Sequence, residues 1–246
     1  MIFGRKGRKA EASTDEDVDD VVAVEDDALD EDADVADLDE DADETEAAED
    51  VDPRADGPFD YEEVDLSGDD AVLAAQRVRR VAFGPLIVTQ PEDLLLQLQG
   101  DPKTNAVYTL LAHHENSGLE VALFAAPRSG GLAAELREDI VEEATQGGGQ
   151  AEIVSGPFGP EVKRVLPLDG PEGEQLFHVS RIWLVEGPGW LLRGTLMGRA
   201  ALVEGEAEPA DFFVEFFRDL VVRRDEEPRS PGEIIHLALP EGSVRG

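Results

Sequence analysis

The residues best placed to do chemistry lie in "ALFAAPRSGGLAAEL", residues 122–136, where an apolar run stops at Pro127 and a helical pattern begins. An arginine beside a helix start can bind an anion, because the free N–H groups of the first turn carry partial positive charge. Arg128 and Ser129 are therefore candidate anion ligands. The stretch lacks the Lys-Ser/Thr pair of a phosphate-binding P-loop, and Ser129 can instead cap the helix by accepting its first free N–H groups.

Two further arginines lie inside apolar strand patterns, where a charge is costly unless it is paired or solvated. These are Arg181 and Arg193. If they converge with Arg128 on one face of a sheet, they form a pocket for an anionic ligand. The alternative is that each arginine pairs with one of the many acidic residues or faces water, as Arg164 and Arg218 can also do. The sequence leaves both interpretations open.

The other reactive residue types predict no metal or cofactor site. The chain has no Cys and only 4 His. His113 and His114 are neighbours in a predicted strand, so their side chains point to opposite faces and cannot readily chelate one metal ion. The Gly-x-Ser-x-Gly motif of a nucleophile elbow does not occur. We therefore expect no catalytic residue, no metal and no cofactor.

Charge divides the chain into two parts. Residues 1–9 hold four basic residues, and residues 10–56 hold 24 Asp and Glu against one Arg, a net −23 of the −36 carried by the whole chain. A segment this charged, without aromatic residues, cannot bury enough apolar surface to offset the entropy of ordering it. The sequence predicts a disordered acidic N-terminal tail at 1–56, an extended arm or linker at 57–76, and a single α+β domain at 77–246.

Charge and hydropathy also restrict the partners. The acidity of the folded domain argues against nucleic-acid binding, because neutralising phosphates supplies most of that affinity. No apolar run is long enough for a transmembrane helix, and the basic N-terminus lacks the apolar region of a secretory signal. The four basic residues of 1–9 attract anionic lipid weakly, and the neighbouring acidic segment opposes that attraction. We expect a cytoplasmic protein without stable membrane association.

Hydrophobic periodicity predicts the element order β-β-β-β-α-β-β-β-β-α-β. The first strand covers 77–88 with a bend at Gly84-Pro85, and the clearest hairpin turns through "GPG" at 187–189. The helices cover 130–149 and 209–222. Hairpin-linked strands with only two helices predict an α+β fold, a mostly antiparallel sheet with two main helices packed on it.

Several short blocks resemble one protein family. They are "ALFAAPRSGG", "SGPFGPEV", "GPGWLLRG", "FFRDLVVRRDEEP" and "HLALP", in this order, preceded by "MIFGRKGRK" and "GPFDYEEVD". Together they resemble the actinobacterial proteins grouped as domain of unknown function 3710, over roughly residues 57–240. The chain departs from the family pattern at 77–100. The resemblance implies a cytoplasmic bacterial protein and brings no established activity, cofactor or catalytic residue.

Two classes of function fit these observations. The first is a non-enzymatic protein-interaction or adaptor domain with an unknown protein partner, in which the acidic tail is a solubiliser or an electrostatic modulator. The second is a small-anion binding module, or an enzyme, that uses an arginine-lined pocket formed by Arg128, Ser129, Arg181 and Arg193.

Overall fold

The computed structural model describes residues 54–67, 78–171, 173–225 and 227–240, so most of the acidic tail predicted to be disordered lies outside the described residues. The strands are β1 (Phe59–Asp60), β2 (Val78–Phe83), β3 (Leu86–Pro91), β4 (Leu95–Asp101), β5 (Ala106–His114), β6 (Ser117–Ala125), β7 (Gln150–Gly156), β8 (Gly159–Asp169), β9 (Gln175–Gly187), β10 (Trp190–Gly198) and β11 (Val221–Val222). The helices are α1 (Leu132–Gln146) and α2 (Ala210–Arg218), and short 3-10 helices cover Tyr61–Glu63 and Arg199–Leu202.

The described strands form two sheets. The larger sheet has seven strands in the order β4-β5-β6-β10-β9-β8-β7, and all its neighbouring strands are antiparallel. The smaller sheet has the order β1-β11-β3-β2, and only its β1–β11 pair is parallel. The predicted α+β fold with mostly antiparallel strands and two main helices is confirmed.

The centre of the large sheet is buried on both faces. Along β9, Trp183 and Val185 point to one face while Ile182 and Leu184 point to the other, and all four are buried. Helix α1 covers the face of Ile182 and Leu184 through Leu132 and Ala133. Helix α2 and the small sheet cover the opposite face. The two predicted helices therefore pack on opposite faces of one sheet.

Aromatic side chains fill the space between α2 and the sheet. The ring centroid of Phe217 lies 5.4 Å from that of Trp183 and 4.9 Å from that of Phe158. Gly194 of β10 makes room for this cluster, because a Cβ atom there would lie 2.8 Å from the Phe217 ring. Phe213, Phe216 and Phe217 of α2 are thus core residues.

Three predicted elements differ in the structure. The final strand of the predicted order is replaced by isolated bridges of Ile234 to Phe124 and of Leu237 to Val107. The segment 77–88 was expected to be one bent strand, but Gly84-Pro85 forms the turn of a β2–β3 hairpin, with Gly84 at φ +71°. The second helix was expected to reach residue 222, but it ends at Arg218, and Val221–Val222 pairs with β1 and β3. Val221 and Val222 fit the helical pattern in the sequence, but in the structure they pair with β1 and β3, which are distant in the chain, and so form a strand of the small sheet.

The arm preceding the domain contributes a strand of its own. Phe59–Asp60 pairs in parallel with β11, and the Phe59 N–H donates to the Leu220 carbonyl at 2.9 Å. The Trp190 indole N–H donates to the Asp60 carboxylate at 2.9 Å. These contacts attach the beginning of the predicted arm to the domain at the end of the β9–β10 hairpin.

Candidate functional site

The loop between β6 and α1 contains the predicted anion ligands Arg128 and Ser129. A turn follows β6, in which the Gly130 N–H donates to the Pro127 carbonyl at 3.2 Å. The helix N-cap is Gly131, at φ +103°, and it has no side chain to offer. The expectation that Ser129 caps α1 is therefore wrong, because the helix begins farther along the chain than the cap position of Ser129 requires.

A carboxylate that is distant in the sequence caps the N-terminus of α1 in place of an N-cap side chain. Glu186, at the end of β9, accepts the Gly131 N–H at 3.0 Å and the Leu132 N–H at 3.1 Å. The first N–H groups of α1 are thus bound by a carboxylate of the protein itself, Glu186. An external anion at these N–H groups would have to displace that side chain.

Replacing Glu186 by alanine is expected to lower the free energy of unfolding by about 0.5–2 kcal/mol, because two backbone donors and the helix dipole lose their partner. Urea-induced unfolding measures the change. Glu138→Ala, on the exposed side of the same helix, is the matched control and should change stability by less than about 0.5 kcal/mol. Equal losses for the two variants would show that Glu186 does not cap α1.

Arg181 is fully buried and is part of the core. Its guanidinium donates to both carboxylate oxygens of Glu161, at 2.9 and 3.0 Å, and to the Val203 carbonyl at 3.1 Å. The Trp183 indole N–H donates to the same carboxylate at 2.7 Å. Three donors of Arg181 and both oxygens of Glu161 are therefore used inside the protein.

Arg193 lies on the other face of the large sheet. It pairs across the strands with Leu184, on the face covered by α1, whereas Arg181 pairs with Leu196, on the face covered by α2. The Arg193 guanidinium lies 3.8 Å from Glu120 and 5.2 Å from the centre of the Phe124 ring. The sheet separates the two arginines, so they form no shared pocket.

Arg164 and Arg218, the two other arginines named in the sequence analysis, also have partners. Arg164 lies on the α1 face, donates to Ser180 at 3.2 Å, and has its pKa lowered by burial and by the charge of Arg193. Arg218 forms a surface pair with Glu206 at 2.6 Å, and this hydrogen bond raises the pKa of Arg218. Neither side chain lies at the loop of Arg128.

Two other arginines do meet Arg128, at a cavity of about 500 Å³. We call this cavity the arginine pocket; its lining residues are Asp60, Tyr61, Glu62, Arg128, Pro188, Arg223, Arg224 and Asp225. Arg128 lies in the loop before α1, and Arg223 and Arg224 lie in the segment after β11. The β9–β10 turn, with Pro188, completes the lining beside them. The Ala126 N–H donates to the Gly189 carbonyl at 3.2 Å, which fixes the loop of Arg128 to that turn.

Backbone groups hold two of these arginines in place. Arg224 donates to the Pro188 carbonyl at 3.0 Å. Gly189, at φ +83°, leaves the space that the Arg224 guanidinium fills, since a Cβ atom there would lie 2.0 Å from its Nη1. The guanidinium of Arg223 lies 5.5 Å from the centre of the Tyr61 ring. The Arg128 side chain is exposed and has no hydrogen-bond or ion-pair partner within the described part of the chain.

The carboxylates of the arginine pocket are mostly engaged elsewhere. Asp60 accepts from the Trp190 indole and from the Glu62 N–H. Asp225 is bound through both oxygens by Arg229, and these hydrogen bonds hold the pKa of Asp225 below its ordinary value. Glu62 is the lining carboxylate that no described group contacts. The arginine pocket therefore keeps guanidinium donors free for an added anion.

A second surface feature lies at the far end of the β8–β9 hairpin. Leu168 is 50% exposed, Leu176 is 45% exposed and Phe177 is 61% exposed. Leu168 pairs with Leu176 across the strands, and Phe177 pairs with Pro167. We call Leu168, Leu176 and Phe177 the hairpin surface. Leu168 and Leu176 lie on one face of the sheet and Phe177 lies on the other, so this hairpin end exposes large apolar side chains on both faces.

Two cavities adjoin the hairpin surface. One, of about 360 Å³, is lined by Phe177, Pro167 and Val165 together with Gly148, Gly149 and Gln150. The other, of about 450 Å³, shares Gln150 and Val165 with the first and extends to Leu202 and Glu204. Within the hairpin surface, Phe177 thus borders a groove beside the edge strand β7.

Sequence reasoning missed Glu186, Arg223 and Arg224. Glu186 is 54 residues from Leu132, whose N–H it accepts, and the two arginines follow an element that was predicted to be helical. Local patterns carry no signal for such contacts. Within the described ranges, no group of three His, Cys, Asp or Glu side chains is arranged to hold a metal ion, and no helix there has the length and apolar content to cross a bilayer.

The fold and these surfaces define an α+β domain with a seven-stranded antiparallel sheet covered on both faces. The chain belongs to the family described as protein of unknown function (DUF3710), whose model matches residues 57–245. All the described strands and helices lie within that range. The resemblance inferred from the sequence blocks is confirmed at the level of the family. A comparison with curated proteins finds no match to this chain.

The chain is similar to several solved structures, including the following two. A crystal structure from Bacteroides thetaiotaomicron shares 14% identity at a TM-score of 0.36, covering 61% of this chain and 50% of that one. The solution structure of cyanobacterial PsbP (CyanoP) from Synechocystis sp. PCC 6803 shares 11% identity at a TM-score of 0.36, covering 65% of this chain and 96% of that one. This chain therefore spans half the length of the Bacteroides protein.

Proposed function

We propose that this protein is a non-enzymatic protein-interaction or adaptor domain of the cytoplasm, and that its partner docks on the hairpin surface. The observation that carries the proposal is the exposure of Leu168, Leu176 and Phe177 at one end of one hairpin. Apolar side chains gathered on the surface of a soluble domain mark sites where another protein covers them. An aromatic anchor beside a cavity is the arrangement that typically dominates interface energetics.

Charge indicates which kind of partner fits. The chain carries a net charge of −36, so two copies repel one another at the distances of an interface. A partner with a neutral or basic contact surface gains from the same field. Glu204 at the rim of the groove lies 3.6 Å from Lys163 but is 92% exposed, so it can also pair with a basic side chain of that partner. In this proposal the acidic segment 10–56 keeps the protein soluble and disfavours acidic partners.

The test compares two surface variants of the full chain. In Leu176→Ser/Phe177→Ser the hairpin surface loses its anchor, and we expect the partner recovered by crosslinking and affinity purification to fall by about 10-fold or more. The matched control is Leu95→Ser, because Leu95 is 72% exposed on β4 at the opposite edge of the same sheet. The control should recover the partner at the wild-type level.

Two results would overturn the proposal. One is recovery of the same partners at equal levels by the double variant and the control. The other is light scattering that shows a stable homodimer which the double variant dissociates, since that result would make a second copy the occupant. Thermal melts of both variants establish that a loss of binding is not a loss of folding.

A further inference from the structure

The arginine pocket is a separate feature that the proposed interaction does not use. It borders the turn at the end of β9, whereas the hairpin surface lies near the beginning of the same strand. Its guanidinium groups come from Arg128, Arg223 and Arg224, and most of their N–H donors remain unassigned among the described residues. Each guanidinium has five donors, of which Arg224 uses one on the Pro188 carbonyl.

We propose that the arginine pocket binds a phosphate monoester. The three guanidinium groups reach it from two chain segments, the loop before α1 and the segment after β11, so donors approach from more than one direction, as a tetrahedral oxyanion requires. One arginine can bind both oxygens of a planar carboxylate, so a carboxylate ligand would not need three guanidinium groups.

The neighbouring acids allow this ligand. Both oxygens of Asp60 and of Asp225 accept hydrogen bonds from groups other than the three pocket arginines, although the charge of Arg224 also helps to lower the pKa of Asp225. Glu62 is the lining carboxylate without a hydrogen-bond partner among the described residues, and its charge, like those of Asp60 and Asp225, should weaken anion binding without preventing it. This residue gives the site a variant that is expected to improve affinity.

The size of the cavity indicates that the phosphate carries an organic group. About 500 Å³ is far more than a bare phosphate fills. Tyr61 supplies an aromatic ring, 41% exposed, on which the remainder of the ligand can pack. The same chemistry occurs in a small phosphorylated metabolite and in a phosphorylated protein side chain, and the experiment separates these two sources.

The experiment is calorimetric titration of the full chain at fixed ionic strength with glycerol phosphate, a phosphotyrosine peptide and acetate. We expect at least one phosphate ester to bind and acetate to bind far more weakly. Tighter binding of the peptide assigns the pocket to a modified protein, and tighter binding of glycerol phosphate assigns it to a metabolite. Equal binding of acetate, or no binding of either ester, would overturn the proposal.

Variants locate the binding at the pocket. Arg128→Ala and Arg223→Ala should each weaken the better ester by about 10-fold or more, since each removes charged hydrogen bonds. Glu62→Gln should tighten it. Arg199→Ala removes the same charge from an exposed position outside the pocket and should leave affinity within about two-fold of wild type. If Arg199→Ala weakens ester binding as much as Arg128→Ala does, the ester is attracted by the overall charge and not bound at the arginine pocket, and the proposal is wrong.

Discussion

Replacing Glu161 by glutamine is expected to lower the free energy of unfolding by about 3–5 kcal/mol. The carboxylate is buried and accepts two N–H groups of Arg181 and the indole N–H of Trp183. Glutamine has the same shape but no charge, so it leaves the buried guanidinium of Arg181 without a counter-charge. Urea-induced unfolding followed by tryptophan fluorescence measures the loss.

The control is to remove both charges together. Glu161→Gln/Arg181→Met should regain much of the stability, because no uncompensated charge is left in the core. Glu206→Gln breaks a solvent-exposed pair with Arg218 and should cost less than about 1 kcal/mol. If Glu161→Gln costs no more than Glu206→Gln, the buried pair does not behave as the structure indicates.

Replacing Phe217 by alanine is expected to cost about 3–5 kcal/mol, through lost burial and the cavity that remains. The ring is fully buried and contacts Trp183 and Phe158 between α2 and the sheet. Gly194 already brings the sheet backbone close to the ring, so the site cannot collapse much further. Thermal and urea unfolding measure the change.

Phe177→Ala is the matched control, because it removes the same atoms from a ring that is 61% exposed. We expect it to change stability by less than about 0.5 kcal/mol. A large loss would mean that Phe177 supports the fold, and the hairpin surface would then lose its main anchor. This variant therefore tests the packing of the core and the availability of the interaction surface together.

Local patterns were sufficient for the elements that carry their own signals. The β9–β10 hairpin was predicted from "GPG" between two apolar runs, and α1 from apolar spacing that stops at Gly147. The β2–β3 hairpin was missed because Gly84-Pro85 also fits a bend. Val221–Val222 was assigned to a helix because nothing local reveals the strands β1 and β3 that flank it.

The candidate site depended on contacts between distant residues. Arg181 was correctly recognised as a charge inside an apolar strand, but its partner Glu161 lies on β8, 20 residues away. Arg128 was identified from its loop, whereas the arginines that join it follow β11. Sequence reasoning could name the charged residues that need partners; the topology decides which partners they meet.

The length of β9 has a consequence for any partner that uses both surfaces. The strand runs without interruption over 13 residues, and the step from Phe177 to Pro188 measures about 35 Å at roughly 3.3 Å per residue. Because β9 pairs with β10 on one side and with β8 on the other, the distance between the hairpin surface and the arginine pocket is fixed. A phosphorylated partner could engage both sites at once only if about ten or more extended residues join its apolar anchor to its phosphate. Such a bivalent partner would bind more tightly than either half alone, because the second contact becomes intramolecular.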